Sequence, residues 1–165
     1  MSQQAYSYLV KILSGRDFSE HKLREKLRAK KYPANEIDAA INEIKARGYL
    51  REDSYSEARI KAFMHKGYSV NYIKQKLNQE KVTVTEDYIH NVFEEHRESE
   101  TEQVKRLLVK KLRSIPDDKE EAYKERQKAV RYALSKGHNP GLVFKILKTN
   151  FNGSDLIESD LIEFQ

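Results

Sequence analysis

The stretch SEHKLREKLRAKKY, beginning at Ser19, returns fifty residues later as SVNYIKQKLNQEKV, beginning at Ser69. At that offset Ser19/Ser69, Lys26/Lys76, Leu27/Leu77 and Lys31/Lys81 are identical, and Leu23/Ile73 and Arg24/Lys74 keep their character. With two residues inserted, Ile37 aligns with Ile89 and Ala40-Ile41 with Val92-Phe93. Such a period in a chain of 165 residues calls for a small unit used several times rather than one large core.

The unit is helical. Ala5, Tyr8, Leu9, Ile12 and Leu13 fall on one face of a helix that Gly15 stops. Ser19 caps a second helix carrying Leu23 and Leu27, and Tyr32-Pro33 ends it. A third runs from about Ala34 to Gly48, with Ile37, Ala40, Ile41 and Ile44 inward. The second unit repeats this plan over about Ser54–Lys66, Ser69–Lys81 and Thr85–Arg97, its first helix facing inward with Tyr55, Ala58, Ala62 and Phe63. A looser third unit has Val104, Leu107, Leu108 and Leu112 before Pro116, then Ala122, Tyr123, Ala129, Val130, Ala133 and Leu134 up to Gly137. Its last helix, about Pro140–Asn150, carries Leu142, Val143, Ile146 and Leu147. No alternating strand pattern of useful length occurs. The expectation is an all-α chain of tandem three-helix repeats, 1–50, 51–99 and 100–150, longer than a globular protein of its mass, followed by an acidic tail at 151–165.

A three-helix unit of this size is marginal alone, so the joints between units should bury something. Tyr49, Leu50 and Tyr55 are the candidates for packing the first joint. Glu52 and Asp53 suit the start of the following helix, where its dipole favours negative charge.

Chemistry-bearing constellations are missing. The chain has no Cys, which excludes disulfides and thiol catalysis. It has no GxxxxGK[ST], GxGxxG or GxSxG motif. Asp87 and His90 stand at i, i+3, a pair common by chance and insufficient for a metal. No run approaches 18 apolar residues, and no signal-cleavage pattern opens the chain. No enzyme activity, cofactor, metal or membrane is expected, and the cytoplasm is the expected compartment.

The charge is uneven. Residues 101–150 hold thirteen Lys/Arg against six acids, whereas 51–100 hold eight against ten. Arg106, Lys110 and Arg113 form a row at helical spacing. Lys124, Lys128 and Arg131 form another, and Arg24, Arg28 and Lys31 a third. Such rows either solubilise a helix face or neutralise phosphates one per side chain, without reading bases. The expected grip on DNA or a DNA-bearing partner is the row of the third unit, with the first unit as a second contact. Residues 151–165 carry four acids and no base, with Ser-Asp-Leu-Ile written twice. They either fray or lie against the basic body in competition with DNA.

Three stretches carry a resemblance. YLVKILSGRDFSEHKLREKL places Arg16 before a Ser-initiated helix; GYLREDSYSEARI gives Gly-Tyr-Leu, acids and an aromatic; HKGYSVNYIKQKLNQEKV gives a basic-Gly motif ahead of Ile and basic-x-x-Leu. Together they resemble the RecX family, regulatory proteins that modulate the RecA recombinase. The departures are Arg51-Glu52 where the family has an acidic pair, Ser69 for its second glycine and Ser56 for its alanine. The resemblance implies three tandem repeats in an elongated, curved molecule. It implies a non-enzymatic monomer that binds the RecA–DNA filament and alters its extension, ATP hydrolysis and strand exchange in recombination and repair. It implies only weak, non-specific contact with single- and double-stranded DNA. The rival reading is a stand-alone helical DNA-binding regulator, which would bind duplex selectively and as a dimer.

Overall fold

The computed structural model describes residues 3–151, and the acidic segment expected to fray or dock lies outside them apart from Phe151. Among the described residues there are nine α-helices and no strand. They are α1 (Gln3–Leu13), α2 (Glu20–Ala29), α3 (Ala34–Ala46), α4 (Glu52–His65), α5 (Val70–Gln79), α6 (Glu86–Glu95), α7 (Glu100–Lys111), α8 (Lys119–Ser135) and α9 (Pro140–Phe151).

Their ends follow from local chemistry. Ser19 caps α2, its Oγ accepting the Lys22 N–H at 3.2 Å. Ser99 and Asp118 cap α7 and α8 in the same way. The second helix of each expected unit stops at a left-handed residue: Lys31 (φ 63°), Lys81 (φ 59°) and Gly137 (φ 85°). After α2 and α5 the next N–H reaches back to close the last turn, Tyr32 to the Leu27 carbonyl at 3.2 Å and Val82 to Leu77 at 2.9 Å. The offset read in the sequence is thus present in the backbone as well.

The described chain gathers into two compact units, one of Met1–Lys61 with Gln75–Thr85 and one of Ala62–Lys74 with Glu86–Gln165. In the first, α1, α2 and α3 enclose Leu9, Leu23, Leu27, Ile41 and Ile44, all fully buried. Each such side chain contributes about 1.5–3 kcal/mol over its exposed state. In the second, α7, α8 and α9 enclose Val104, Leu108, Ala129, Val130, Ala133, Val143 and Leu147.

The inward faces match the periodicity except on α4. There Ser56, Ile60 and Met64 are buried, while Ala58 and Ala62 are exposed and Tyr55 and Phe63 half-buried. Apolar residues surround this helix, so spacing does not select a face. Burial goes to the bulky aliphatic pair Ile60 and Met64 at i, i+4, and the alanines have little area to gain.

Candidate functional site

The first unit uses much of its charge internally. Arg24, expected in an open basic row, is held by two acids. Its Nε lies 2.8 Å from Glu20 and its NH1 2.6 Å from Asp38. Lys45 Nζ also reaches Glu20, at 2.7 Å. Hydrogen bonding to Lys45, and then to Arg24, holds the Glu20 carboxyl below the usual carboxylate range despite some burial. Packing α3 beside α2 brings Asp38 and Lys45 across from Glu20 and Arg24, which spacing along α2 alone does not reveal. Arg28 and Lys31 are exposed and have no ion-pair partner among the described residues.

The joint after α3 corrects one expectation. Tyr49 is 44% exposed and packs no core. Its N–H closes the end of α3 on the Ile44 carbonyl at 2.9 Å, which fixes the residue at the helix terminus with its side chain outward. Leu50 is half-buried against the core of the first unit, and Tyr55 is half-buried. Burial pushes the Tyr55 phenol up, and neighbouring Glu80 adds to it. The charges of the joint have partners: Arg51 meets Asp17 at 3.1 Å, and a Glu52 carboxylate oxygen accepts the Glu20 N–H at 3.0 Å. Glu100 does the same for Val70 at 2.8 Å. In both places a carboxylate from the next helix triplet supplies an acceptor at the start of the preceding triplet's second helix, beside its capping serine. A hollow of about 580 Å³ lies in this unit, lined by Phe18, Lys22, Tyr55, Arg59 and Glu80 among others. Its charges cancel locally, Arg59 pairing with Glu80.

In the second unit cations converge. Lys66, Arg106, Lys110 and Lys136, with His65 and Tyr132, line a hollow of about 330 Å³. Adjoining it, Lys105, Arg106, Lys110 and Arg113 surround the 49% exposed Val109 in a groove of about 430 Å³. Arg106 pairs with Glu98. Lys110 and Arg113 are exposed and have no ion-pair partner among the described residues. In the remaining row Lys124 pairs with Glu120 and Lys128 with Glu125, each at 2.7 Å, and Arg131 is exposed. Exposed pairs of this kind are worth only about 0.2–1 kcal/mol and exchange readily.

A polar knot holds the hollow open. The Ser69 N–H donates to the Lys136 carbonyl at 3.0 Å and the Ser69 hydroxyl to the Gly137 carbonyl at 2.8 Å. This pins the turn after α4 to the turn after α8 and brings Lys66 and Lys136 to one place. Buried Gln103 donates to the Met64 and Tyr68 carbonyls, both at 3.0 Å. Buried His138 Nε2 lies 2.7 Å from the Gly67 carbonyl and donates to it, leaving Nδ1 unpartnered. Desolvation pushes the His138 pKa down, against that hydrogen bond and the field of Glu100. Lys136 Nζ lies 4.1 Å from the Tyr68 ring centre, and Lys111 Nζ 4.3 Å from that of Tyr132. Helical spacing does not reveal Lys66 and Lys136, because each stands in the turn just past a helix end, outside any row along one face. The available signal was a Lys-Gly pair at two helix ends, 66–67 and 136–137.

Among the described residues no group of three His, Asp or Glu is placed to hold a metal, and no helix is long and apolar enough to cross a membrane.

These features define an all-α protein of tandem three-helix repeats with a cation-lined surface. The family model of the first three-helix domain of RecX matches residues 5–43, and that of the third three-helix domain residues 98–147. Regulatory protein RecX of Haemophilus influenzae strain PittEE is 34% identical over 137 residues, covering 83% of this chain and 88% of its own length. Regulatory protein RecX of Vibrio vulnificus strain CMCP6 is 29% identical over 128 residues, covering 78% and 80%. A crystal structure of regulatory protein RecX matches with a TM-score of 0.67 at 18% identity, over 89% of this chain and 71% of that one, and shares the fold. The chain belongs to the RecX family.

Proposed function

We propose that this chain is a non-enzymatic modulator of the RecA recombinase, a negative regulator that binds the RecA–DNA filament and alters its extension, ATP hydrolysis and strand exchange. Family membership supports the partner. The observation that carries the mode of binding is the gathering of Lys66, Arg106, Lys110 and Lys136 around one hollow, continuous with Arg113. Clustered cations suit a polyanion, and each phosphate contact adds about 0.7 to the salt slope for a single strand. Lys124, Lys128 and Arg131 assist, and Arg28 and Lys31 of the first unit form a second contact. The division into repeats at 1–50, 51–99 and 100–150 in a monomer belongs to this reading, because a long repeating partner suits a ligand that itself repeats.

The test is RecA-driven ATP hydrolysis on single-stranded DNA, titrated with the protein and with the variant Arg106→Ala, Lys110→Ala, Arg113→Ala. The protein should inhibit. The variant should keep its helical content, inhibit only at higher concentration, and bind single-stranded DNA with a salt slope smaller by about 2. Unchanged inhibition by a folded variant would move the grip elsewhere. Selective binding to one duplex sequence without RecA, and no effect on hydrolysis, would return the stand-alone regulator instead.

A further inference from the structure

The groove along α7 has an uncovered apolar floor, Val109, inside a rim of four cations, Lys105, Arg106, Lys110 and Arg113. A purely phosphate-binding surface has no use for an exposed aliphatic floor. The pattern calls for a ligand that is both acidic and aliphatic. The chain supplies one. Residues 152–165, NGSDLIESDLIEFQ, carry Asp155, Glu158, Asp160 and Glu163, no base, and the aliphatic pairs Leu156-Ile157 and Leu161-Ile162. We propose that this segment docks in the α7 groove of its own chain, aliphatic side chains over Val109 and carboxylates on the rim, and so occludes the cations that grip DNA.

The geometry permits it. α9 packs against α7 and delivers the chain into this segment at Phe151. α7 has 12 residues, about 18 Å of helix at 1.5 Å each. Fourteen extended residues span up to about 46–50 Å, so every point of the groove is within reach. Lys110 and Arg113 have no ion-pair partner among the described residues, and Lys105 and Arg106, which pair with Glu102 and Glu98, would have to exchange those acids for the segment's carboxylates. Occlusion rests on the reading of α7 as the DNA grip; docking does not.

The experiment separates the two. The chain has no Cys, so Val109→Cys with Ile162→Cys introduces the sole thiols. Under mild oxidation this pair should form a disulfide within one chain at least about tenfold faster than Asn91→Cys with Ile162→Cys, Asn91 being exposed on α6. The advantage should collapse when Asp155, Glu158, Asp160 and Glu163 become Asn or Gln, because about a tenfold effect is within what exposed pairs to Lys110 and Arg113 supply. Equal rates for the two pairs would overturn the proposal, as would disulfide-linked dimers, which would mean that a second copy fills the groove. The same neutralised segment in the otherwise native chain should bind single-stranded DNA about tenfold more tightly, with a steeper salt dependence. Preferred cross-linking without that gain would keep the docking and refute α7 as the DNA grip.

Discussion

Gly137→Ala should destabilise the second unit by about 2–4 kcal/mol. The residue sits at φ +85°, where an L side chain costs about 1–2 kcal/mol. A Cβ there would stand 2.6 Å from the Tyr72 Cβ and 2.7 Å from the Ser69 Oγ. The Tyr72 Cβ is fixed to its backbone, and the Ser69 hydroxyl can turn away only by giving up its bonds to the Gly137 carbonyl and the Tyr72 N–H, so relief requires the turn to move or the cap to break, a cost of about 1–3 kcal/mol. Moving the turn also stretches the bonds of Ser69 to the Gly137 and Lys136 carbonyls. Against this, alanine restricts the unfolded chain, a gain of about 0.4–1 kcal/mol. Gly48 provides the control. Its φ is +72°, yet nothing lies within 4 Å of an added Cβ, so Gly48→Ala should cost only the conformational part, under about 1.5 kcal/mol. Urea unfolding of both variants and the parent at neutral pH, followed by far-UV circular dichroism, measures the difference. Equal costs at the two glycines would show that the contact of Gly137 with Ser69 and Tyr72 is not tight, and would refute the knot as the device that sets Lys66 beside Lys136.

Leu50→Ala should cost about 1–2 kcal/mol, a reduced large-to-small penalty for a half-buried side chain, whereas Tyr49→Ala should stay within about 0.5 kcal/mol; denaturant midpoints at constant slope decide between them. His138 is neutral in the fold, where a second N–H on Nδ1 would find no acceptor, and its folded pKa lies below the unfolded value. The unfolded chain therefore binds the proton first as pH falls. The stabilisation is complete above about 6.5 and declines below it, so the unfolding midpoint should drop between pH 7 and 5 more in the parent than in His138→Asn.

Much of this was written in the sequence. Leu9, Leu23, Leu27, Ile41 and Ile44 are buried where helical spacing puts them, because on α1, α2 and α3 the apolar residues occupy one stripe and the rest of the surface is charged. α4 was illegible for the opposite reason, since Tyr55, Ala58, Ile60, Ala62, Phe63 and Met64 leave no polar side to define an inner one. Charge was harder than packing. A row such as Arg24, Arg28 and Lys31 is visible along one helix, but its partner acid Asp38 is on another. The hollow in the second unit combines Lys66 and Lys136 from distant segments, joined by a backbone hydrogen bond that no side-chain pattern announces. Glu52 read as a residue serving its own helix dipole, and its carboxylate also serves the start of α2.

Lys66, Gly67 and Tyr68 bond back to Phe63 and Met64, but the remaining partners of the turn between α4 and α5 come later in the chain. Val70 waits for Glu100, 30 residues on, the Met64 carbonyl for Gln103, 39 on, and the Gly67 carbonyl for His138, 71 on. The ribosome releases these groups in order. At about 5–20 residues per second, some 4–14 s separate the appearance of Gly67 from that of His138. Through that interval the turn at 66–70 depends on water for bonds it will later make to protein, while α2 needs only Glu52, 32 residues beyond Glu20. A protease offered ribosome-arrested chains should therefore cut at 66–70 until residue 138 has emerged and spare that turn afterwards. Synthesis from the N-terminus thus closes the first triplet early and leaves the lysine-bearing turn for last, so that the surface bearing Lys66 and Lys136 is assembled only when nearly the whole chain is present to hold it.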